Sequence, residues 1–394
     1  MSAPTAVAAS KWPVFDQEQV EAAMHVLQSG KVNYWTGQEG REFEKEFSKY
    51  FEAKHSIAVA NGTVSLQLIV LALGLKPGDE VITTPRTFVA SSSAMVLSGL
   101  KPVMADVDLD SGNITPETVA PLITERTKAI LPVHIGGWPC DMHGFNDLVA
   151  GKGIHVIEDC AQAHGAKIKG QHVGTFGIAS SWSFCQDKIM TTGGEGGMVT
   201  TEDEELWKKM WALKDHGKNF DTVYHKQHAP GFRWLHEDWG TNWRLTEMQS
   251  AIGRVQIRRM DDWYEARRAN AAYFTERLKE VSALRIPEVP EDLTHAWYRF
   301  YCYTRPEALK DGWTRDRIAV ECSSHGFGIV IGSCGEIYLE KCFQDSGLAP
   351  KERLPNAKHL GENSFALLTH PGKTKEEMDR EADILIKVLK EATR

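Results

Sequence analysis

From about residue 57 onward, short β-rich runs alternate with segments that have the periodicity of helices. The predicted strands cover residues 57–60, 80–84, 103–107, 128–134, 154–159, 178–184 and 197–201. The predicted helices between them cover residues 64–75, 87–98, 116–123, 141–151 and 204–214. Several of the strands are apolar throughout, which is typical of strands that are buried on both faces. The alternation predicts an α/β fold with a mostly parallel sheet covered by helices.

The sheet pattern fades after Thr201 and gives way to a different organisation. A long polar and aromatic loop is predicted over 215–241. The elements predicted beyond it are a helical stretch over 246–280, a strand over 296–304 and helices over 314–324 and 375–392. A chain of 394 residues has room for two or three domains. We therefore predict a large α/β domain over residues 1–250, including an N-terminal arm, and a smaller α+β domain over residues 251–394.

Charge balance and cysteine usage exclude several classes of protein. The formal net charge is −8, and no block of basic residues offers the surface that nucleic-acid binding normally needs. The seven cysteines contain no Cys-x-x-Cys pair, and their odd number is typical of free thiols in a reducing compartment. No apolar run approaches the roughly 20 residues of a membrane span, and the N-terminal residues lack the pattern of a signal peptide. We therefore expect a cytoplasmic protein.

One lysine stands out because a glycine cluster follows it. Lys188 closes the run that begins at Ser183, on a turn after a predicted strand, and glycines occupy positions 193, 194, 196 and 197. Glycines let the backbone turn sharply and let a ligand approach closely. Lysine forms Schiff bases with carbonyl compounds, and burial would lower its pKa toward reactivity. A surface lysine in a glycine-rich loop would give the same pattern, so other segments must decide.

A second candidate is the turn after the strand over 57–60. This strand runs into Asn61, Gly62 and Thr63, and a predicted helix follows. The free N–H groups and the positive dipole end at the start of a helix form an anion site. An ordinary connection in which Asn61 or Thr63 caps the helix would give the same pattern.

Three more residues lie just beyond strand ends. Asp159 ends a predicted strand, and Gln162 follows it at the edge where α/β sheets bind ligands. A carboxylate there can pair with a cationic ring nitrogen, and an amide can hydrogen-bond a nearby oxygen. Phe88 follows another strand and offers a flat face. The alternatives are that Asp159 caps the next helix and that Phe88 packs in the core.

Together these positions match the chemical features of one ligand, pyridoxal 5′-phosphate. It has a phosphate for residues 61–63, a cationic heteroaromatic ring for Asp159, a flat face for Phe88 and an aldehyde for Lys188. The cofactor acts as an electron sink, and a carboxylate beside the pyridine nitrogen keeps that nitrogen protonated.

A series of short segments extends the pattern over nearly the whole chain. The segments are Tyr34 to Gly37, Asn61 to Thr63, Thr87 to Ala90, Pro132 to His134, Glu158 to Ala166, Ser183 to Lys188, Gly194 to Gly197 and Gly240 to Leu245. In this order and spacing they resemble the DegT/DnrJ/EryC1/StrS family of sugar aminotransferases. The resemblance implies the fold of the aspartate aminotransferase class, with a large α/β domain and a smaller C-terminal domain.

The resemblance also implies a role for each residue around the cofactor ring. Lys188 would hold the cofactor as a Schiff base and would move the proton between the substrate Cα and the cofactor C4′ carbon. Asp159 would pair with the pyridine nitrogen, and Gln162 would contact the ring hydroxyl. Phe88 would stack on the ring.

The same resemblance assigns the phosphate to Gly62, Thr63 and Ser183. Asn242 matches a family position that reaches the phosphate of the neighbouring subunit, which implies a homodimer with shared active sites. The chain departs from the family pattern at Cys185, where histidine or asparagine is frequent, and by an extra residue in the glycine cluster.

The implied activity is the conversion of a keto sugar, expected to be nucleotide-linked, into an amino sugar with glutamate as the expected donor. Related dehydratases carry histidine in place of the lysine, so Lys188 favours transamination. Dehydration, aromatic-amine formation and non-catalytic sensing of the cofactor or a sugar nucleotide remain as alternatives. A metal enzyme is the weakest alternative, because the 15 histidines include no His-Glu-x-x-His motif. The sequence does not specify the sugar, the nucleotide or the aminated carbon.

Two further segments are candidates for substrate contacts. Residues 332–338 occupy the region of the smaller domain where substrates of the family bind. The loop over 215–241 either contacts the sugar nucleotide or forms part of a dimer interface. Its candidate residues are His216, His225, His228, Arg233 and His236.

Overall fold

The structure, a computed structural model that describes residues 11–227 and 234–394, is built around a seven-stranded sheet. In spatial order its strands are His55–Val59, Gly197–Thr201, Ala179–Ser183, His155–Asp159, Thr127–Leu131, Glu80–Thr83 and Lys101–Met104. Gly197–Thr201 is antiparallel to both of its neighbours, and the other strands run in one direction. The predicted mostly parallel sheet is confirmed.

Helices cover both faces of this sheet. They are Gln17–Ser29, Glu39–Phe51, Gly62–Ala72, Ala90–Leu97, Pro116–Val119, Met142–Val149, Glu204–Lys214, Phe220–Tyr224 and Glu247–Ile257. Along strand His55–Val59, Ala58 belongs to one apolar core and Ile57 and Val59 belong to another. Because alternate residues of a strand point to opposite faces, the sheet separates these two cores.

The C-terminal part has a smaller antiparallel sheet and a core of its own around Phe274, Phe300 and Leu385. Its strands are Leu284–Arg285, Phe300–Thr304 and Ser364–Leu367. Its helices are Met260–Leu278, Arg315–Ser324, Lys341–Ser346, Pro355–Asn363 and Lys375–Ala392. The α+β character predicted for this part is therefore present.

Short elements complete the described chain. A third sheet links the two parts through Leu293–Thr294, Lys167–Ile168 and Gln171–His172. Single 3₁₀ turns lie at Ala120–Leu122, Ile135–Gly137, Pro306–Ala308 and Ile337–Leu339. Among the helices of the described ranges, none combines the length and the apolar character that a bilayer span requires.

The structure corrects the helix that the sequence predicts over 246–280. It consists of two helices, Glu247–Ile257 and Met260–Leu278, with the break at Arg258 and Arg259. Neither glycine nor proline marks the break. Instead, both arginines form ion pairs with the N-terminal helix region, so a tertiary contact accompanies the change of direction.

Two other predicted boundaries do not coincide with the ends of helices or strands in the structure. The strand predicted over 296–304 begins only at Phe300, because Trp297 has a left-handed backbone with φ of 52° that is incompatible with a strand. The domain boundary predicted at residue 250 falls inside the helix Glu247–Ile257, and the division of the chain there stays a prediction.

The helix Glu247–Ile257 packs so closely on the N-terminal helix Glu39–Phe51 that one position requires glycine. A β-carbon on Gly253 would lie 2.6 Å from Cζ of Phe43, and Phe43 is fully buried. Packing of this kind ties the N-terminal region to the large sheet, on whose core Phe43 lies.

We expect Gly253→Ala to lower the free energy of unfolding by about 1–2 kcal/mol. The overpacking cost exceeds the gain in helix propensity that alanine brings. Gly328→Ala, outside the helices, is the control for loss of a glycine without overpacking, because a β-carbon there meets no atom within 4 Å. Urea unfolding of both variants measures the difference, and equal stabilities would contradict the close packing at Phe43.

Candidate active site

A cleft of about 610 Å³ opens where several strands of the large sheet end. It brings together residues that are far apart in the sequence. The predicted site residues that line it are Gly62, Thr63, Phe88, Asp159, Gln162, Ser183 and Lys188. Of the predicted set, Asn242 lies outside this lining.

Lys188 projects into the cleft with only 14% of its side chain exposed. Its Nζ lies 3.4 Å from the Tyr298 hydroxyl oxygen and 3.8 Å from Oδ1 of Asp187. Burial lowers the pKa of Lys188, but Tyr298 and Asp187 outweigh this effect, so the pKa lies above its ordinary value. Burial thus acts in the expected direction, but the expected net lowering of the pKa is wrong, because it did not include these two partners.

Asp187 organises a polar network that the sequence motifs do not reveal. Its carboxylate accepts hydrogen bonds from the Tyr298 hydroxyl and, at 3.0 Å, from Nη2 of Arg299. Burial raises the pKa of Asp187, but Lys188 and its hydrogen-bond partners lower it to below its ordinary value. Tyr298 and Lys188 are 110 residues apart, and no local sequence signal pairs them.

Asp159 is buried at the end of its strand, with 4% of its surface exposed. Its two oxygens accept hydrogen bonds from the Ser91 hydroxyl at 2.8 Å and the Ala161 N–H at 3.1 Å. No helix follows, so the reading of Asp159 as a helix cap is wrong. It forms no ion pair with any described residue, and burial raises its pKa. A buried carboxylate of this kind is costly and fits a cationic group bound in the cleft.

The start of helix Gly62–Ala72 forms one wall of the cleft. The Asn61 side chain accepts a backbone hydrogen bond from the first turn, so the cap reading of this residue is confirmed. The N–H groups of Gly62 and Thr63 have no partner within the helix, by their position. A β-carbon on Gly62 would lie 2.8 Å from Cβ of Ser183, so glycine is needed for this close approach. The wall therefore offers N–H groups and a hydroxyl for an anion.

Phe88 and Gln162 complete the lining from two sides. Phe88 is 65% exposed although it is apolar, so the reading as a core residue is wrong. Gln162 is buried, and its Nε2 donates to Oγ of Ser333 at 3.1 Å. This bond joins the large sheet to the segment over 332–338, which contributes to the lining as well.

The lining fits pyridoxal phosphate on the four points that the sequence suggested. The helix start at Gly62 offers donors for a phosphate, and Asp159 has no ion-pair partner among the described residues, with Lys188 acting on it only from a longer distance. Phe88 presents an exposed aromatic face, and Lys188 places an amine in the same cleft. These groups suit a phosphorylated, cationic heteroaromatic aldehyde.

Comparison with known proteins agrees with this geometry. The profile of the DegT/DnrJ/EryC1/StrS aminotransferase family matches residues 13–385. The chain belongs to this family. The predicted family, the α/β fold and the aminotransferase class are thereby confirmed.

Individual relatives share both sequence and structure with this family member. An aminotransferase from Psychrobacter cryohalolentis is 50% identical, with a TM-score of 0.95 over 97% of this chain and 99% of that one. DesV from S. venezuelae, solved in complex with a ketimine intermediate, is 31% identical, with a TM-score of 0.84 over 94% of both chains. The dTDP-3-amino-3,6-dideoxy-alpha-D-galactopyranose transaminase of Aneurinibacillus thermoaerophilus is 39% identical over 72% of this chain and 74% of its own.

In this DegT/DnrJ/EryC1/StrS member, Asn242 is exposed and its backbone pairs with that of Asp215. Asp215 is fully buried and accepts three side-chain hydrogen bonds. The donors are Trp35 at 2.8 Å, Lys218 at 2.9 Å and Arg244 at 2.6 Å. This cluster anchors the segment that carries Asn242 at the surface of the chain.

The region over 215–241 is only partly a loop. It contains the helix Phe220–Tyr224, capped by Asn219, so the prediction of a continuous loop is wrong there. Two of its candidate residues, His228 and Arg233, lie outside the described residues.

A buried cluster of His134, Glu158 and Cys160 has the composition of a metal site but the hydrogen bonds of a structural network. Nε2 of His134 lies 3.2 Å from Glu158, and Nδ1 of His134 accepts the N–H of Cys140. The Glu158 carboxylate also accepts backbone N–H groups from Gly174, Phe176 and Gly177. These hydrogen bonds stabilise the end of the strand that carries Asp159.

We expect Asp159→Asn to stabilise the ligand-free chain by about 1–2 kcal/mol at pH 7, because it removes a buried charge that forms no ion pair with a described residue. Burial raises the native pKa of Asp159 above its ordinary value of 3.8. Its ionisation therefore costs stability as the pH rises through the native pKa, and the gain should shrink as the pH falls to about 4. Urea unfolding at both pH values measures this.

Asp187→Asn is the control, and we expect it to change the free energy of unfolding in the opposite direction. The native pKa of Asp187 lies below its ordinary value, so its charge stabilises the chain at pH 7 and the variant should be less stable. A pH-independent loss of stability in Asp159→Asn would show that its two hydrogen bonds outweigh the cost of its burial.

Proposed function

We propose that this chain is a pyridoxal-phosphate-dependent aminotransferase that converts a nucleotide-linked keto sugar into an amino sugar, with glutamate as the donor. The observation that carries the proposal is the meeting of Lys188 with the buried Asp159 in one cleft. An amine and a buried carboxylate that forms no ion pair are what a cofactor with an aldehyde and a cationic ring requires. Membership of the aminotransferase family supports the same reaction class.

The cofactor would be held from several sides of the cleft. The N–H groups of Gly62 and Thr63 and the hydroxyl of Ser183 would bind the phosphate. Asp159 would accept a hydrogen bond from the ring nitrogen, and Phe88 would cover a face of the ring. Gln162 already donates to Ser333, and its second amide hydrogen would serve the ring hydroxyl. When bound, the cofactor supplies an electron sink for the carbon that carries the amine.

Lys188 is the group that would move a proton at that carbon. Contacts with Tyr298 and Asp187 orient its amine within the cleft. Because these contacts keep its pKa above the ordinary value, the amine carries a proton in this state and must lose it before it can act as a base. Weakening of the Asp187 contact would lower this pKa, so the amine could give up its proton and then accept one from the substrate carbon.

The relatives support the choice of acceptor. The Aneurinibacillus relative is a transaminase of a dTDP-linked amino sugar. The cleft of this chain is lined by Gly332 and Ser333 of the C-terminal part, and Ser333 accepts a hydrogen bond from Gln162 of the large sheet. A keto sugar would therefore lie between the large sheet and the segment over 332–338.

We expect Lys188→Ala to abolish turnover, because no other described lysine lines the cleft. Purified wild-type protein should take up pyridoxal phosphate and turn yellow, because the Schiff base with Lys188 has an absorption band in the visible range. The variant should lack this band. Lys209→Ala, an exposed helix position, is the control and should retain both the band and the activity.

The product distinguishes the proposal from its alternatives. An amine formed from the sugar nucleotide and glutamate supports transamination, and loss of water without gain of nitrogen would support dehydration instead. A wild-type protein that binds the cofactor but transfers no amine from any amino acid would support a sensing role. A protein that takes up no cofactor would refute the assignment.

We further propose a homodimer in which Asn242 serves the phosphate of the neighbouring subunit. Asn242→Asp places a negative charge against that phosphate and should lower activity at least about tenfold. Mixing this variant with Lys188→Ala should restore about one quarter of wild-type activity. Half of the dimers are then hybrids, and each hybrid has one site without a substitution.

Steady-state activity before and after subunit exchange measures this complementation. Mixed tags on the two variants confirm by mass that hybrids have formed. Hybrids without regained activity would show that Asn242 acts within its own subunit or has no role in the site.

A further inference from the structure

A second cavity, of about 670 Å³, adjoins the active-site cleft. The two share the side chains of Asp187, Arg299 and Val330. The additional cavity wall comes from the N-terminal segment around Trp12 and from Arg267 in helix Met260–Leu278. None of the functions assigned so far uses this space.

The lining of this cavity carries an excess of positive charge. Its described cations are Lys11, Arg267 and Arg299, and its one described carboxylate is Asp187. Asp187 already accepts hydrogen bonds from Arg299 and Tyr298 and lies beside Lys188. The positive charge of Arg267 is therefore not neutralised by the lining.

Arg267 is the unusual member of the lining, because it is buried without an acid. It is 2% exposed, and burial lowers its pKa to about 9. Its Nη1 donates to the carbonyl of Trp297 at 3.5 Å, a long contact. Its Nε and Nη2 have no hydrogen-bond partner within the described ranges. These two atoms form the edge of a guanidinium that binds carboxylates and phosphates in a bidentate manner.

Trp12 connects this arginine to the catalytic lysine. Its ring covers the guanidinium of Arg267 at 5.2 Å, and its Nε1 donates to the backbone carbonyl of Lys188 at 2.8 Å. The free edge of Arg267 is shielded from water in this state, so binding of an anion to it would require the guanidinium to turn toward the cavity that it lines. His370, stacked on Trp12, also lines the cavity and has an Nδ1 with no hydrogen-bond partner in the described chain.

We infer that this cavity is an anion subsite in which Arg267 binds an oxyanion of a substrate, with the carboxylate of the amino donor as the expected occupant. The inference rests on the proposed aminotransferase function. The subsite adjoins Lys188, where the donor amine must react, and a carboxylate would neutralise a buried cation that has no acid. Phosphoryl oxygens of a sugar nucleotide offer the same chemistry, and the experiments below separate the two sources.

The first test measures binding without turnover. Glutarate, a dicarboxylate without an amine, is titrated by calorimetry into the purified full-length protein. We expect Leu368→Glu, in the cavity wall, to weaken glutarate binding at least about tenfold, because it supplies a fixed carboxylate in place of the ligand. Leu368→Gln has the same shape without the charge and should bind as the wild type does. Equal binding by both variants would overturn the inference.

The second test uses Arg267→Met and follows each half of the reaction by the absorbance of the bound cofactor. We expect the absorbance band of the bound cofactor to be unchanged. The glutamate concentration that gives half of the maximal rate should rise at least about tenfold. A rise with the sugar nucleotide alone would assign the subsite to phosphoryl groups. Unchanged values for both substrates would refute an anion subsite while leaving the proposed function intact.

The two tests also separate failure of the inference from failure of the proposed function. A wild-type protein that takes up no cofactor refutes the function, whatever the cavity binds. If Arg267→Met does not fold, the Leu368 pair still decides the inference, because neither variant removes a buried charge.

Discussion

The buried carboxylate of Asp159 is the constraint on which the rest of the site depends. It ends a strand that lies between Thr127–Leu131 and Ala179–Ser183, so the sheet shields it from water on both sides. The fold supplies only two neutral donors, Ser91 and Ala161. Together with the more distant Lys188, these two hydrogen bonds do not offset the cost of burial, so the pKa of Asp159 stays raised and a cationic ligand in the cleft would stabilise its charge.

The adjacent residue, Glu158, is also a buried carboxylate of this strand, but its surroundings differ from those of Asp159. Glu158 is fully buried and accepts three backbone N–H groups, besides its contact with His134. Its environment compensates its charge and gives it a structural role. Because successive side chains of a strand point to opposite faces, Asp159 instead faces the cleft. Two adjacent residues of one strand therefore differ in role, because Glu158 forms structural hydrogen bonds and Asp159 faces the cleft.

Local patterns predicted much of the fold. Glu204–Lys214 and Lys375–Ala392 have the predicted bounds, because caps at Asp203 and Thr374 mark their starts. The pattern failed at Arg258, where ion pairs to a distant helix rather than a local signal accompany the break. It also could not decide between core and surface for an isolated aromatic residue such as Phe88, since exposure is a property of the assembled fold.

The sequence by itself determined the residue types that the chemistry requires: an amine at Lys188, an acid at Asp159 and a glycine at the helix start, each adjacent to a recognisable strand end. Only the tertiary structure decided the electrostatic state of the lysine, because Tyr298 comes from the C-terminal part and reaches Lys188 across 110 residues. It alone placed Arg267 beside the same site. Contacts between residues so far apart depend on how helices and sheets pack, and no spacing within one segment encodes that packing.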